Sequence, residues 1–201
     1  MPPPLTPPPY IELATTTNFS FLCGASHPHE LVSEAHALGL AGIGIADRNS
    51  LAGVVRAHVQ ARELGTKLLI GTRLVFSDGT PDILAYPQDR AAYGRLSRLL
   101  TVGNRRAEKG DCILKLDDLV EHAEGLQLIL VPPRPDITLA APTLRRLKNH
   151  NLWLAACMAY RGDDQRHLRR LEAMAREHRL PMIAIGDVLY RLTEPVLRPI
   201  R

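Results

Sequence analysis

Aromatic residues are scarce, at 4% of 201 residues, with three Phe and one Trp. Base stacking on aromatic faces is therefore not expected of this chain. Cysteine is also rare. Cys23, Cys112 and Cys157 are odd in number, far apart and form no C-x-x-C pair. That excludes a disulfide framework and a cysteine zinc site, and it suits a reducing cytoplasm. No apolar run reaches the roughly 18 residues of a membrane span. The opening Met1-Pro2-Pro3-Pro4 has neither basic residues nor an apolar core, so it does not read as a signal peptide.

What is present suits one globular domain. Hydrophobic residues make up 45% and charged residues 23%, which argues against global disorder. A formal net charge of +4 with a pI near 9.2 permits nucleic-acid contact without requiring it. The proline-rich residues 1–9 form a stiff lead-in, residues 10–190 the domain, and residues 191–201 a tail.

Apolar runs at Tyr10–Leu13, Leu40–Ala46, Lys67–Phe76, Ile83–Tyr86, Leu126–Val131, Leu152–Met158 and Met182–Ile185 read as strands. Several are continuous rather than alternating, as in parallel strands buried on both faces. Helices are expected between them. Ser26 is placed to cap the first, with Pro28 in its opening turn, Leu31, Ala35 and Leu38 inward and Gly39 ending it. The second starts near Ser50, with Leu51, Val54, Val55, His58 and Val59 on one side. Others span Gln88–Thr101, Leu116–Ala123, Leu139–Asn149 and Asp163–Arg179, and Gly103–Cys112 reads as a long surface loop. Strand–helix alternation implies a barrel or an open wound sheet, and function in either gathers at the carboxyl ends of the strands. Those ends fall at Ala14–Asn18, Asp47–Asn49, Arg73, Pro87, Pro132-Pro133 and Asp187.

Other signals have ordinary readings. His27-Pro28-His29 sits at a helix start with no further histidine placed to join it, so a surface role is expected. Gly39, Gly42 and Gly44 are in the wrong order for a dinucleotide fingerprint and read as close strand packing. The basic clusters Arg145-Arg146-Lys148 and Arg166-Arg169-Arg170 read as solvated faces. Arg105, Arg106 and Lys109 are the candidates for backbone-phosphate contact.

The ordered stretches ELATTTNFSFLCGASHPHELVSEAHALGL, GIGIADRNSLAGVVRAHVQA, LLIGTRLVF, DRAAYGRLSRLLTVGNRRAEKGDCILKLDDL and PMIAIGDVLY carry a resemblance. They resemble a PHP (polymerase and histidinol phosphatase) domain, and within that family they are similar to the error-prone C-family DNA polymerases. The resemblance implies a distorted seven-stranded β/α (TIM-like) barrel whose active members hold metal ions for phosphoester hydrolysis. It also implies that this chain has lost most ligands. The H-x-H-S motif reads Ala14-Thr15-Thr16-Thr17, so Ala14 and Thr16 replace histidines. Asp47 is kept but Arg48 replaces its histidine, Arg73 stands for a glutamate, and Ala155 for another. Asp82 takes a histidine position, while the final D-x-H keeps Asp187 and has Leu189. A guanidinium never coordinates a cation.

Asp47, Asp82 and Asp187 are then a vestigial set, suited at best to weak Mg²⁺ or Mn²⁺, and no resident cofactor is expected. Arg48 and Arg73 are placed to neutralise Asp47 and Asp187 as an ion-pair plug. The resemblance implies a silent structural or docking domain of an error-prone polymerase used in translesion synthesis and DNA repair. Its expected partners are the polymerase body of the same full-length chain, DNA through that protein, and other damage-response polymerase factors, with no membrane. The chain passes Glu194, Pro195 and Pro199 and stops at Arg201, where relatives run on, so an excised or truncated piece is expected. A free-standing metal-dependent phosphoesterase or 3′–5′ exonuclease is the alternative, and a stand-alone interaction module a third.

Overall fold

The computed structural model describes residues 9–134 and 137–191. Most of the expected lead-in, and the tail beyond Arg191, lie outside the described residues. The strands are β1 (Ile11–Thr15), β2 (Gly42–Arg48), β3 (Leu68–Leu74), β4 (Ile83–Pro87), β5 (Leu126–Leu130), β6 (Asn151–Ala156) and β7 (Met182–Ala184). The helices are α1 (Pro28–Ala37), α2 (Val54–Leu64), α3 (Arg90–Arg106), α4 (Leu116–His122), α5 (Ala141–Leu147) and α6 (Asp164–His178).

All seven strands form one sheet in sequence order. The sheet curls until β1 meets the segment after β7. Thr15 bridges Val188, Thr16 N–H donates to the Val188 carbonyl at 2.8 Å, and Val188 N–H donates to the Ala14 carbonyl at 2.9 Å. The fold is the expected distorted β/α barrel. The parallel expectation needs one correction: β4 runs antiparallel to both β3 and β5. The connection from Leu74 to Ile83 is too short for a helical crossover, so the chain must turn back. Pro87, expected at the functional end, therefore lies at the opposite end beside Leu126, and Asp82 enters at the mouth instead.

Alternation along the strands sorts the core. Leu84 and Tyr86 of β4 point into a cluster with Ala14, Ala46, Ile129, Ala155 and Ile185, while Ile83 and Ala85 join the larger cluster under α3 to α6. The inner cluster sets alanines and aliphatic side chains around the Tyr86 ring, with Trp153 packed against the cluster. Tyr86 is buried and donates its hydroxyl to the Leu13 carbonyl. A Cβ on Gly44 would stand 2.5 Å from that hydroxyl, so this glycine is a packing residue, as the sequence suggested.

The N-cap of helix α1 is His27, not Ser26. Glu30 accepts from the His27 N–H at 2.8 Å, and the Ser26 hydroxyl instead accepts from Arg191 N–H at 2.9 Å. Helix α2 starts at Val54 and buries Val54, Ala57 and Ala61, leaving Val55 and Val59 outward, against expectation. Its neighbour α1 packs closely, and small alanines permit that approach where valines would not. Helix α3 continues to Arg106, so the first four residues of the expected 103–112 loop are helical.

Candidate functional site at the barrel mouth

Asp47, Arg48, Arg73, Asp82 and Asp187 lie at the mouth, where β2, β3 and the segment after β7 end and β4 begins. They form two separate arrangements. Asp47, at the end of β2, is 1% exposed. Its carboxylate accepts from Thr17 N–H at 2.8 Å, from the Thr17 hydroxyl at 2.9 and 3.0 Å, and from the Ser20 hydroxyl at 2.7 Å. Ser20 Oγ in turn accepts from Arg48 N–H at 2.9 Å. A buried carboxylate supplied with this many donors has its hydrogen-bonding capacity met by the protein itself. Asp47 is thus tied into the loop after β1, and neither arginine pairs with it, which corrects the expectation that they would.

The second arrangement is the ion-pair plug. Arg73 of β3, 7% exposed, donates through Nη2 to Asp187 and stands 3.6 Å through Nη1 from Asp82. Arg48 Nη1 lies 3.4 Å from the same Asp82 oxygen. Two guanidiniums meet two carboxylates, so the formal charges cancel. The Asp187 backbone has φ of 54°, in the left-handed region that Asp tolerates better than most residues. Among the described residues no three His, Cys, Asp or Glu side chains group as a metal centre. The three carboxylates are engaged by the protein itself: Asp47 by hydroxyls and a backbone N–H, and Asp82 and Asp187 by the Arg73 guanidinium.

Ala14, Thr16 and Ala155 pack inside the barrel, whereas Leu189 is exposed. Ala14 is fully buried, Thr16 and Ala155 are each 2% exposed, and Leu189 is 39% exposed. The Thr15 hydroxyl is buried without a hydrogen-bond partner. Sequence reasoning missed Glu12. It is 4% exposed and accepts from Tyr10 Oη at 2.7 Å, Ala14 N–H at 2.7 Å and Gly186 N–H at 2.8 Å, which fastens β1 to the turn before Asp187. A glutamate inside the apolar run Ile11–Ala14 was the available signal. Burial raises the Tyr10 phenol pKa, and its bond to Glu12 adds to this.

Beside the plug lies a cleft of about 770 Å³ with Ser20, Arg48, Asn49, Asn104 and Lys109 among its walls. Arg106 binds Asp118 through both nitrogens at 2.6 and 2.9 Å, so it is committed to holding α3 against α4. His27 and His29 are exposed and stack on each other at 5.5 Å. Arg145, Arg146, Arg166, Arg169 and Arg170 are solvent-exposed, the first two on α5 and the others on α6. No described helix is long and apolar enough to cross a membrane.

Comparison with known proteins matches this geometry. The PHP domain family profile fits residues 12–162. Two relatives are each named error-prone DNA polymerase. One, from Rhodopseudomonas palustris (strain BisB5), is 53% identical over 198 residues, and one from Brucella abortus is 50% identical over 201. The matches cover 93% and 96% of this chain but 18% of each relative, so the chain spans under a fifth of their length. Among solved structures, a candidate metal-dependent phosphoesterase from Bifidobacterium adolescentis superposes with TM-score 0.69 at 16% identity, covering 94% of this chain and 90% of that one. An amidohydrolase from Chromobacterium violaceum with bound sulfate and no metal gives 0.64 at 17%, covering 94% and 93%. At such identities these two speak for the fold. The seven-stranded barrel, its closure through Val188 and the match over residues 12–162 together place this chain in the PHP domain family.

Proposed function

We propose that this chain is a structural PHP domain of an error-prone DNA polymerase engaged in translesion synthesis and repair, with a mouth that is plugged rather than catalytic. The observation that carries this reading is Arg73, held between Asp82 and Asp187 where a metal-using barrel needs an open cation site. A divalent ion entering there would face two fixed guanidiniums and would have to displace one of them. In this reading the domain has no resident cofactor, works in the bacterial cytoplasm, and serves the polymerase body and its damage-response partners as a brace. Any phosphate contact falls to Arg105 and Lys109, since Arg106 is engaged by Asp118.

The test is metal analysis of the purified chain by plasma mass spectrometry, with phosphoesterase and 3′–5′ exonuclease assays in Mn²⁺. The expected result is substoichiometric metal and no hydrolysis that depends on Asp187. Stoichiometric Mn or Zn, with hydrolysis abolished by Asp187→Asn, would overturn the proposal in favour of a phosphoesterase.

A further inference from the structure

The loop after β1 and the outer side of α2 present apolar groups to solvent. Phe21 is 85% exposed and Leu22 90%, while Val55 and Val59 are 71% and 53% exposed. The two valines are four residues apart, so they lie on one helix face. The loop and the helix adjoin: Arg56 stands 5.6 Å over the Phe19 ring, and a Cβ on Gly53 would approach the Thr17 hydroxyl at 3.1 Å. Exposed apolar groups gathered in this way mark contact surfaces rather than ordinary solvent-facing positions.

The loop is held in a fixed shape. Asp47 gathers Thr17 and Ser20, Cys23 N–H and Gly24 N–H both donate to the Ser20 carbonyl at 3.0 and 3.1 Å, and Ala25 N–H donates to the Leu189 carbonyl at 2.9 Å. Leu22 adopts φ of 59°, which a leucine rarely holds. Gly24 packs so close to the Thr17 carbonyl that a Cβ there would collide with it. A prearranged apolar tip loses little conformational entropy on docking.

We infer that Phe19, Phe21, Leu22, Val55 and Val59, around Arg56, form the face on which the rest of a polymerase chain docks. This rests on the structural-domain reading above. The occupant follows from two observations. More than four-fifths of each polymerase relative lies outside the match, so a brace must meet a large body. The five apolar groups surround Arg56, and the cleft that Phe19 and Phe21 border adds charges of both signs, Arg48 and Lys109 with Glu108 and Asp111, which suits a protein surface with a polar rim and not a uniformly negative phosphate backbone.

The test grafts this chain in place of the matched segment of the Rhodopseudomonas palustris polymerase. Hydroxyl-radical footprinting is then compared between the graft and the 201-residue chain alone. Oxidation of Phe21 and Leu22 is expected to fall several-fold in the graft. Phe21→Ser with Leu22→Ser should lower the thermal midpoint of the graft while leaving that of the isolated chain unchanged. If another surface is protected and this one is not, the docking face is wrong and the brace reading stands. If no surface of the domain is protected, the brace reading itself fails. If the isolated chain already protects these residues as a concentration-dependent dimer, a second copy is the occupant and the inference is overturned.

Discussion

Arg73 and Asp187 stand 114 residues apart in sequence and meet as an ion pair across the barrel mouth. The same guanidinium reaches Asp82, so one cation organises three of the strands' ends. Replacing Arg73 with methionine keeps most of the volume, strips Asp187 of its cation and leaves Asp82 with Arg48 alone. Asp82 and Asp187 side chains are 27% and 37% exposed, so water screens part of the cost. The expected loss is about 1–2 kcal/mol, below the toll of a fully buried pair. Urea unfolding measures it, and Asp187→Asn in the Arg73→Met background should recover part of it. Additive single and double variants would disprove the coupling.

Asp47 is predicted to be structural in a way that metal cannot mimic. Asp47→Ala strands the Thr17 N–H and two hydroxyls in a buried site, at a cost of about 3 kcal/mol. Adding Mn²⁺ or Mg²⁺ should leave the wild-type thermal midpoint unmoved, because the aspartate's lone pairs are already engaged. A midpoint that rises with added metal would assign Asp47 to a cation site.

The barrel interior tests through Tyr86. Tyr86→Phe removes the bond to the Leu13 carbonyl and should cost about 1 kcal/mol. Gly71→Ala places a methyl 2.5 Å from the Tyr86 ring and 2.9 Å from the Ala85 carbonyl, which cannot retreat, and should cost about 1–3 kcal/mol. Chemical denaturation of both variants gives the ranking, and a Gly71→Ala variant as stable as wild type would contradict this packing.

Acid should weaken the fold in two limbs. Burial first, and Arg134 second, lower the His167 pKa from its ordinary 6.5. The unfolded chain then binds the proton more readily, so stability is complete above 6.5 and declines as pH falls below it. The bond from Arg106 lowers the Asp118 pKa, and the His27 N–H lowers that of Glu30. Burial would raise the Asp164 pKa, but hydrogen bonds from Ala159, Arg134 and Arg161 outweigh it. These carboxylates stabilise above their ordinary values of 3.8 and 4.5 and lose that contribution as pH falls through the lower folded values. Calorimetric midpoints against pH should show both limbs, with His167→Gln removing only the first.

Thiol chemistry gives a further check. Cys23 is exposed, whereas burial raises the pKa of both Cys112 and Cys157. A thiol reagent at about pH 8 should label Cys23 first and the other two slowly. Equal rates would contradict this placement.

The alternation of strands and helices was legible in the sequence because apolar runs and helix faces repeat locally, but that pattern fits a barrel and an open wound sheet alike, and the choice of a barrel came from the resemblance. That Ala14, Thr16, Arg48 and Leu189 bring no imidazole to the mouth was legible too, since ligand chemistry belongs to the residue type. Val55 and Val59 misled because counting apolar residues favours valine, while the close approach of α1 selected Ala57 and Ala61. The direction of β4, the hydroxyl cage around Asp47 and the pairing of Arg73 with Asp82 and Asp187 were decided only by the tertiary structure. Each depends on which strand ends the curled sheet brings within hydrogen-bond reach, and that distance is not encoded in any local stretch of the chain.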